Sequence, residues 1–599
     1  MQHETPSDFY ARRAPEIDAQ ADEANRRCTR FQISSVALFL ALVACVYAPF
    51  ATKKFPVWII ILPAAGFVVT SKRALAHRRQ VLRLLSVREH YDKGTARLRH
   101  QWDSLDDGKE FIDRDHLYAT DLDLFGRGSL FQLLCSARTH AGRDMLAGWM
   151  KKLAERDEVL ARQASFAELR SRHDVREAVA GAGSSSIFTL RPRTIRDWVN
   201  EVAARPQLPR WIHAVAFGMV LVLAAIPFTY WFGYVSLQTV WFLIGGWLGV
   251  ELAFSSLFMK DVQFITASVD SPASELAIVA DLLEVIERER FSSPKLAAIA
   301  DRVKQANVPA SRKLRHVVRL ITFLQVRNLL VPLSVLLWCT QLTAAIDRWH
   351  RLHGADLLEW LTAIGEFEAI VSLSAYAFEH PHDVFPEIID GHGPLFSAEA
   401  LGHPLIDEAV CVTNDVCLGT DARFLIVSGS NMSGKSTFLR AVGANAVLAW
   451  TGAPVRCASL QISKFNFAAA IHIQDSLADG QSHFFAEMKR LRRMIDLAED
   501  GPLLFLVDEI MSGTNSKDRR IAGEWVMRAL IRRGAIGLIT THDLTLTEIA
   551  SDGMPGRNAH FEDSGEGGRL HFDYKLRAGL LTHSNALNIV RMLGIDTNT

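Results

Sequence analysis

The chain has 599 residues, and its 66 lysines and arginines are balanced by 66 aspartates and glutamates. That balance excludes a global basic field of the kind that holds a protein on nucleic acid, and the length allows several domains of ~150 residues. The seven cysteines (Cys28, Cys45, Cys135, Cys339, Cys411, Cys417, Cys457) form no C-x-x-C pair, which excludes the common metal and redox spacings and suits reduced cytosolic thiols.

The first thirty residues are polar and charged, so no cleavable signal peptide is expected. Two uncharged runs follow, "ISSVALFLALVACVYAPF" (Ile33–Phe50) and "FPVWIIILPAAGFVVT" (Phe55–Thr70). They are slightly short of the ~20 apolar residues of a spanning helix but within the tolerated range. The basic stretch "SKRALAHRRQVLRLL" (Ser71–Leu85) comes directly after them, where a cluster of this kind meets anionic lipid headgroups in preference to DNA. A second pair, Trp211–Trp231 and Tyr234–Phe254, has full spanning length, with Trp and Tyr at its edges. Arg26, Arg27 and Arg30 before the first pair, and Lys72, Arg73, Arg78 and Arg79 after it, place the ends of that hairpin in the cytoplasm; Arg205, Arg210 and Lys260 do the same for the second. Lys53 and Lys54 in the first turn vote the other way. A fifth apolar run, Leu329–Ile346, contains Gln341 and continues into the polar "DRWHRLHGADLLEWL", so it is expected to be a buried helix of the core rather than a span. "SELAIVADLLEVIERERF" and "DLLEWLTAIGEFEAIVSLSAYAF" carry apolar residues at helical spacing.

The chemistry begins at "VSGSNMSGKSTFLRA". Gly429, Ser430, Asn431, Met432, Ser433, Gly434, Lys435 and Ser436 fit G-x-x-x-x-G-K-[ST], with Thr437 next. Such a loop curls its backbone N–H groups around phosphates at the start of a helix. Lys435 would reach the β- and γ-phosphates of ATP, and the Ser436 hydroxyl would hold Mg²⁺. Apolar Phe424–Val427 supplies the preceding strand. A second apolar strand, "LLFLVDEI", ends in Asp508, expected to bind Mg²⁺ through water, and Glu509, expected to polarise the attacking water. A third, "AIGLITTHD", ends at His542, where an imidazole could contact the γ-phosphate. An acid pair or a histidine at a strand end is ordinarily structural; the loop upstream favours catalysis. These residues predict a nucleotide-hydrolysing α/β domain.

Four segments in order resemble the MutS family: "GSNMSGKST", "DSLADGQSHFFAEM" (Asp475–Met488), "DEIMSGTNSKDRR" (Asp508–Arg520) and the tail "FDYKLRAGLLTHSNALNIVRMLG". Upstream, "LDLFGRGSLFQLLCSARTHAGRDMLAGWM" is similar to the start of that family's helical core. The resemblance implies a MutS/ABC-type P-loop ATPase domain over 401–599. Before it would come a mostly α-helical core over 121–210 and 259–400, split by a transmembrane hairpin at 211–258. Segments 1–32 (cytoplasmic), 33–70 (first hairpin) and 71–120 (basic, helical) would precede the core. It also implies a homodimer that sandwiches two nucleotides, with Ser482, beside Gly480, contacting the partner's γ-phosphate and Gly513–Asp518 crossing the interface. The family's adenine-holding aromatic falls at Cys411 here, in "CVTNDVCL".

The stretch before Asp121 contains a membrane hairpin and no Phe-x-Glu, the mismatch-reading signature that the resemblance would require. The expectation is therefore a membrane-anchored MutS-type ATPase in the cytoplasmic membrane. Its partners would be lipid and an unidentified protein client, with only non-specific DNA contacts through residues such as Arg312, Lys313 and Arg315. The alternatives are a membrane-held mismatch repair or recombination protein, and an ABC-type transporter ATPase, since "LADGQ" is similar to that family's L-S-G-G-Q.

Overall fold

The computed structural model describes residues 4–52, 57–183, 195–204, 208–209, 211–269, 273–304, 308–325, 337–391, 393–430, 432–471, 483–511, 516–550, 553–566 and 569–580. A helical N-terminal region precedes an α/β C-terminal domain. Helix α1 (Pro6–Thr52) is continuous through the polar N-terminal segment and the first apolar run, and α2 (Ile61–Leu98) through the second run and the basic stretch. Pairs such as Arg12–Glu16 and Glu23–Arg27, one turn apart, keep the polar part of α1 helical. The two helices pair closely: Ser35 Oγ donates to Thr70 Oγ1 at 2.9 Å, and a Cβ on Gly66 would meet Leu38 at 3.1 Å. The basic segment expected to be helical to 120 ends earlier. Beyond Leu98 the chain turns, with Gly108 at φ 59°, and only Lys109–Phe111 forms a short 3-10 turn.

The core is built from short helices α3 (Leu130–Leu134), α4 (His140–Lys151), α5 (Arg156–Arg170), α6 (His173–Ala180) and α7 (Ile195–Ala203). Ser129 and Thr139 cap α3 and α4 by accepting from Gln132 N and Gly142 N. The hairpin α8 (Trp211–Trp231) and α9 (Leu237–Leu257) then leaves the core, and α10 (Met259–Val269), α11 (Ala273–Arg288), α12 (Pro294–Lys304) and α13 (Ala310–Gln325) return to it. Most of them pack on α14 (Trp338–Glu379), where Leu357, Ile364, Phe367, Ile370 and Leu373 are fully buried. Among the described residues four helices are long and apolar enough to cross a membrane: α1, α8, α9 and α14. Most of α14's apolar stretch is buried inside the protein, whereas those of α1, α8 and α9 are mostly exposed. The described part of the fifth apolar run, 337–346, thus lies in the core, where its polar continuation places it.

The C-terminal domain carries two sheets. The smaller has the order β1-β5-β2-β3, from β1 (Glu387–Ile389), β2 (Phe396–Leu401), β3 (Asn414–Leu418) and β5 (Ser459–Ser463). The larger has the order β10-β9-β4-β8-β7-β6, from β4 (Phe424–Ser428), β6 (Asn466–Ala470), β7 (Leu503–Val507), β8 (Ile536–Thr541), β9 (Gly556–Glu566) and β10 (Arg569–Ala578). It is parallel from β9 to β6, with β10 antiparallel at one edge. Its central strands β7 and β8 are buried along their whole length, as strands covered on both faces are. The helices α15 (Lys435–Thr451), α16 (His483–Leu497) and α17 (Ser516–Arg532) connect them.

The helical core and this domain share one hydrophobic interior, which runs from Leu122 and Phe367 to Val442 and Leu506. Gly443 on α15 permits the closest approach, since a Cβ there would meet Leu122 at 2.4 Å. At the open edge of β6, Ala469 N donates to Leu117 O, and Asp121 accepts from Ile471 N at 2.7 Å and from Arg490. The core thereby covers an edge strand that would otherwise be exposed.

Candidate nucleotide site

The three strands that sequence singled out lie side by side, β4 next to β8 and β8 next to β7, so their C-terminal ends converge. This is where ligands bind in open α/β sheets. After β4 the chain turns through Gly429 and Ser430, with Met432 and Gly434 in left-handed conformations at φ 76° and 99°. Gly434 is the N-cap of α15, and Lys435 its first residue. Lys435 Nζ donates to the carbonyls of Gly429 (2.9 Å) and Ser430 (2.8 Å), inside the loop's own curl. Burial holds its ammonium below the ordinary range, against the opposing pull of Glu509 and Asp508. The hydroxyls of Ser430 and Ser433 are buried in the loop without hydrogen-bond partners, donors of the kind an anion would satisfy.

Thr540 organises the two acids. Its hydroxyl donates to Asp508 Oδ1, and Glu509 N donates to Thr540 Oγ1 at 3.1 Å. Glu509 itself is left-handed (φ 49°), as is Met511 (φ 56°), a costly backbone that re-aims both side chains after the strand. Glu487 on α16, fully buried, accepts from Met511 N and fixes that turn. His542 Nδ1 lies 3.5 Å from Glu509 Oε1 and is half-exposed. Among the described residues no cluster of three His, Cys, Asp or Glu side chains could hold a metal alone. One hydroxyl and one carboxylate, Ser436 and Asp508, suit Mg²⁺, which keeps waters and substrate phosphates as its other ligands.

A cavity of about 530 Å³ opens over the loop, lined by Gly434, Lys435, Ser436, Thr437 and Glu509 at one end. At the other end it meets the apolar Leu401, Ile406, Val410 and Cys411, together with His403, whose buried imidazole is held neutral with its pKa pushed down to about 4. Tyr574 closes the cavity from the opposite side. It sits at a register shift between β9 and β10 with φ 54°, and its ring lies against Gly434, where a Cβ would be 3.0 Å away. Asn414 fixes it, donating to Tyr574 O at 3.0 Å and accepting from Leu576 N at 2.7 Å.

The structure therefore brings Gly429, Ser430, Met432, Ser433, Gly434, Lys435, Ser436, Thr437, Asp508, Glu509 and His542 to one place. Asn431, Gly480 and Ser482, and residues 512–515 after Glu509, lie outside the described residues. Ser516–Asp518, expected in a loop, open α17. Tyr574, His403, Thr540 and the fixing role of Asn414 were missed by sequence reasoning. The signal for Tyr574 was its place in the tail motif, which spacing could not connect to the cavity.

Fold and site define a P-loop nucleotide-binding α/β domain. Residues 425–598 match the family model for MutS domain V, a P-loop ATPase domain, so the C-terminal domain is of the MutS type. It is 29% identical over 242 residues to the DNA mismatch repair protein MutS of Natronomonas pharaonis, covering 40% of this chain and 28% of that one. It is 31% identical over 211 residues to MutS of Thermotoga maritima (34% and 26%), and 31% over 257 residues to the endonuclease MutS2 of Thermomicrobium roseum (40% and 32%). The chain thus spans under a third of the length of these relatives.

Proposed function

We propose that the chain is a membrane-anchored ATPase in which ATP binding and hydrolysis drive a dimeric switch. The observation that carries the ATPase reading is the single cavity lined by the phosphate loop, Glu509, the apolar Ile406 and Cys411, and Tyr574. Tyr574 and the apolar wall of Cys411 and Ile406 hold the base, while Lys435 and the loop N–H groups hold the phosphates. Mg²⁺ held by Ser436 and Asp508 supplies charge neutralisation to the phosphates when bound. Glu509, positioned by Thr540, orients and polarises the attacking water, and His542 beside it reaches toward the γ-phosphate. Ser482, on the segment between β6 and α16, would act across a dimer interface.

Membrane anchoring is supported by the exposed apolar stretches of α1, α8 and α9. Trp231, Tyr234 and Phe242 are 83%, 81% and 74% exposed, and such a large apolar surface calls for an apolar solvent. The DNA-contact reading loses one of its residues, because Arg315 is already paired with Asp281 and Glu284. The test is ATP binding by full-length chain in nanodiscs. Lys435→Ala should abolish it, because the phosphates lose a charge-assisted donor. Cysteine labels near Gly233 should react from outside the cell and a C-terminal label should not; the reverse pattern contradicts the topology.

A further inference from the structure

A second cavity, of about 840 Å³, lies away from the nucleotide site, between α2, the end of α6, α11 and α13. Five arginines line it: Arg79 and Arg83 from α2, Arg288 from α11, and Arg315 and Arg319 from α13. Three carboxylates face them, and each is already engaged. Glu284 pairs with Arg288 and Arg315, Asp281 accepts from Arg315 (2.9 Å) and from Gly183 N (2.9 Å), and Glu289 pairs with Arg172 at 2.6 Å. Arg79, Arg83 and Arg319 have no carboxylate partner among the described residues. The groove therefore carries an excess of two positive charges, presented by Arg79, Arg83 and Arg319, the last of which donates Nε to Arg315 O at 3.3 Å.

The backbone makes room for one of them. Gly181 follows α6, and a Cβ there would meet Arg83 Cγ at 2.6 Å and Nε at 2.8 Å, so the Arg83 stem lies directly across this glycine. We propose that this groove binds a dianionic phosphate group, carried by a soluble phosphomonoester or by the phosphomonoester headgroup of a membrane lipid. A phosphomonoester carries nearly two charges at neutral pH, and the planar guanidinium fork matches its oxygens in pairs. The adjoining surface adds Arg312 and Glu287, the latter already accepting from Ser311, and duplex DNA is the competing ligand that the experiment includes. Both sources reach the site: Arg79 is about 13 Å along α2 from Thr70, close below the headgroup layer if the first hairpin spans. The lipid source rests on the membrane reading; the soluble source does not.

The experiment compares full-length protein in detergent with the same protein carrying Arg83→Gln and Arg319→Gln, both in a Lys435→Ala background that removes phosphate binding by the nucleotide loop. Glycerol 3-phosphate is titrated by calorimetry, and phosphatidic acid is competed against phosphatidylglycerol by native mass spectrometry. The expected result is binding of at least one monoester that weakens about tenfold or more in the double variant. A loss seen with glycerol 3-phosphate assigns the soluble source; a loss confined to phosphatidic acid assigns the lipid. Unchanged binding of both, equal binding of phosphatidylglycerol, or a loss seen only for duplex DNA overturns the proposal. Melting temperature, and ATP turnover with Lys435 restored, should be unchanged by the arginine substitutions. If the double variant does not fold, Arg319→Gln alone is read in the same way.

Discussion

At the base of α1–α2, Arg97 and Tyr10 both reach the buried carboxylate of Glu379, the last residue of α14, with Tyr10 Oη donating at 2.9 Å. Arg13 and Tyr91 share Glu177 in the same way, at 2.8 and 2.6 Å. At the base of α8–α9, Ala216 and Met219 pack with Leu337, Trp247 and Phe254, and Trp247 Nε1 donates to Met219 O. The first hairpin is therefore riveted to the core by charge, whereas the described residues show the second meeting it through a small apolar cluster. The difference bears on the motor. Beyond Glu379, Tyr376 Oη donates to Asp383, Asp383 pairs with Arg456 at 2.6 Å, and Arg456 N donates to Asn445 on α15, the helix that begins at Lys435. Helix α14 thus carries both the Glu379 contact with the first hairpin and, one turn earlier, a hydrogen-bonded chain that reaches the middle of α15. Coupling along it is a matter for measurement.

The largest effect should come from breaking the rivet. Glu379→Ala leaves Arg97 buried without a counter-charge and should cost ~3–5 kcal/mol in denaturant unfolding. A loss under ~1 kcal/mol, the range of exposed pairs, would erase the contrast between the hairpins.

A smaller effect tests α14 as the spine both hairpins use. Glu368 on α14 accepts from Arg138 N at 2.8 Å and from the Thr139 hydroxyl. Burial pushes its pKa up from 4.5 to about 7, against the lowering pull of those hydrogen bonds. A carboxyl raised in the folded state binds its proton more tightly there, so its contribution is full below pH 4.5 and is lost as pH rises through about 7. Relative to Glu368→Gln, the wild-type melting temperature should fall across that window. Parallel curves would show that Glu368 does not titrate there.

The smallest effect is expected at the exposed face of α9. Phe242→Ser should change stability in detergent by no more than about 0.5 kcal/mol, yet weaken retention in carbonate-washed membranes. A large loss of stability in detergent would mean that Phe242 packs against protein instead.

Much of the motor was legible in sequence because its chemistry is local. Gly429 to Thr437 are contiguous in sequence, and Asp508, Glu509 and His542 follow strands buried along their length. Tyr574 was not legible, because a register shift in β9–β10 delivers it to Gly434 from far along the chain. The Asp121–Arg490 pair and the Glu379 rivet were hidden for the same reason: opposite charges say nothing of which distant partner they meet. The apolar runs were visible, but their fusion with polar flanks into single helices depended on ion pairs one turn apart and on the docking of Tyr10 and Tyr91 at the core.

The most direct test of the central claim is ATP turnover by full-length protein in nanodiscs, wild type against Glu509→Gln. The account predicts that wild type hydrolyses ATP and that the variant binds it with similar affinity but turns over at least ~100-fold more slowly, the lower end of what a lost general base costs. Equal turnover by the two proteins would contradict it.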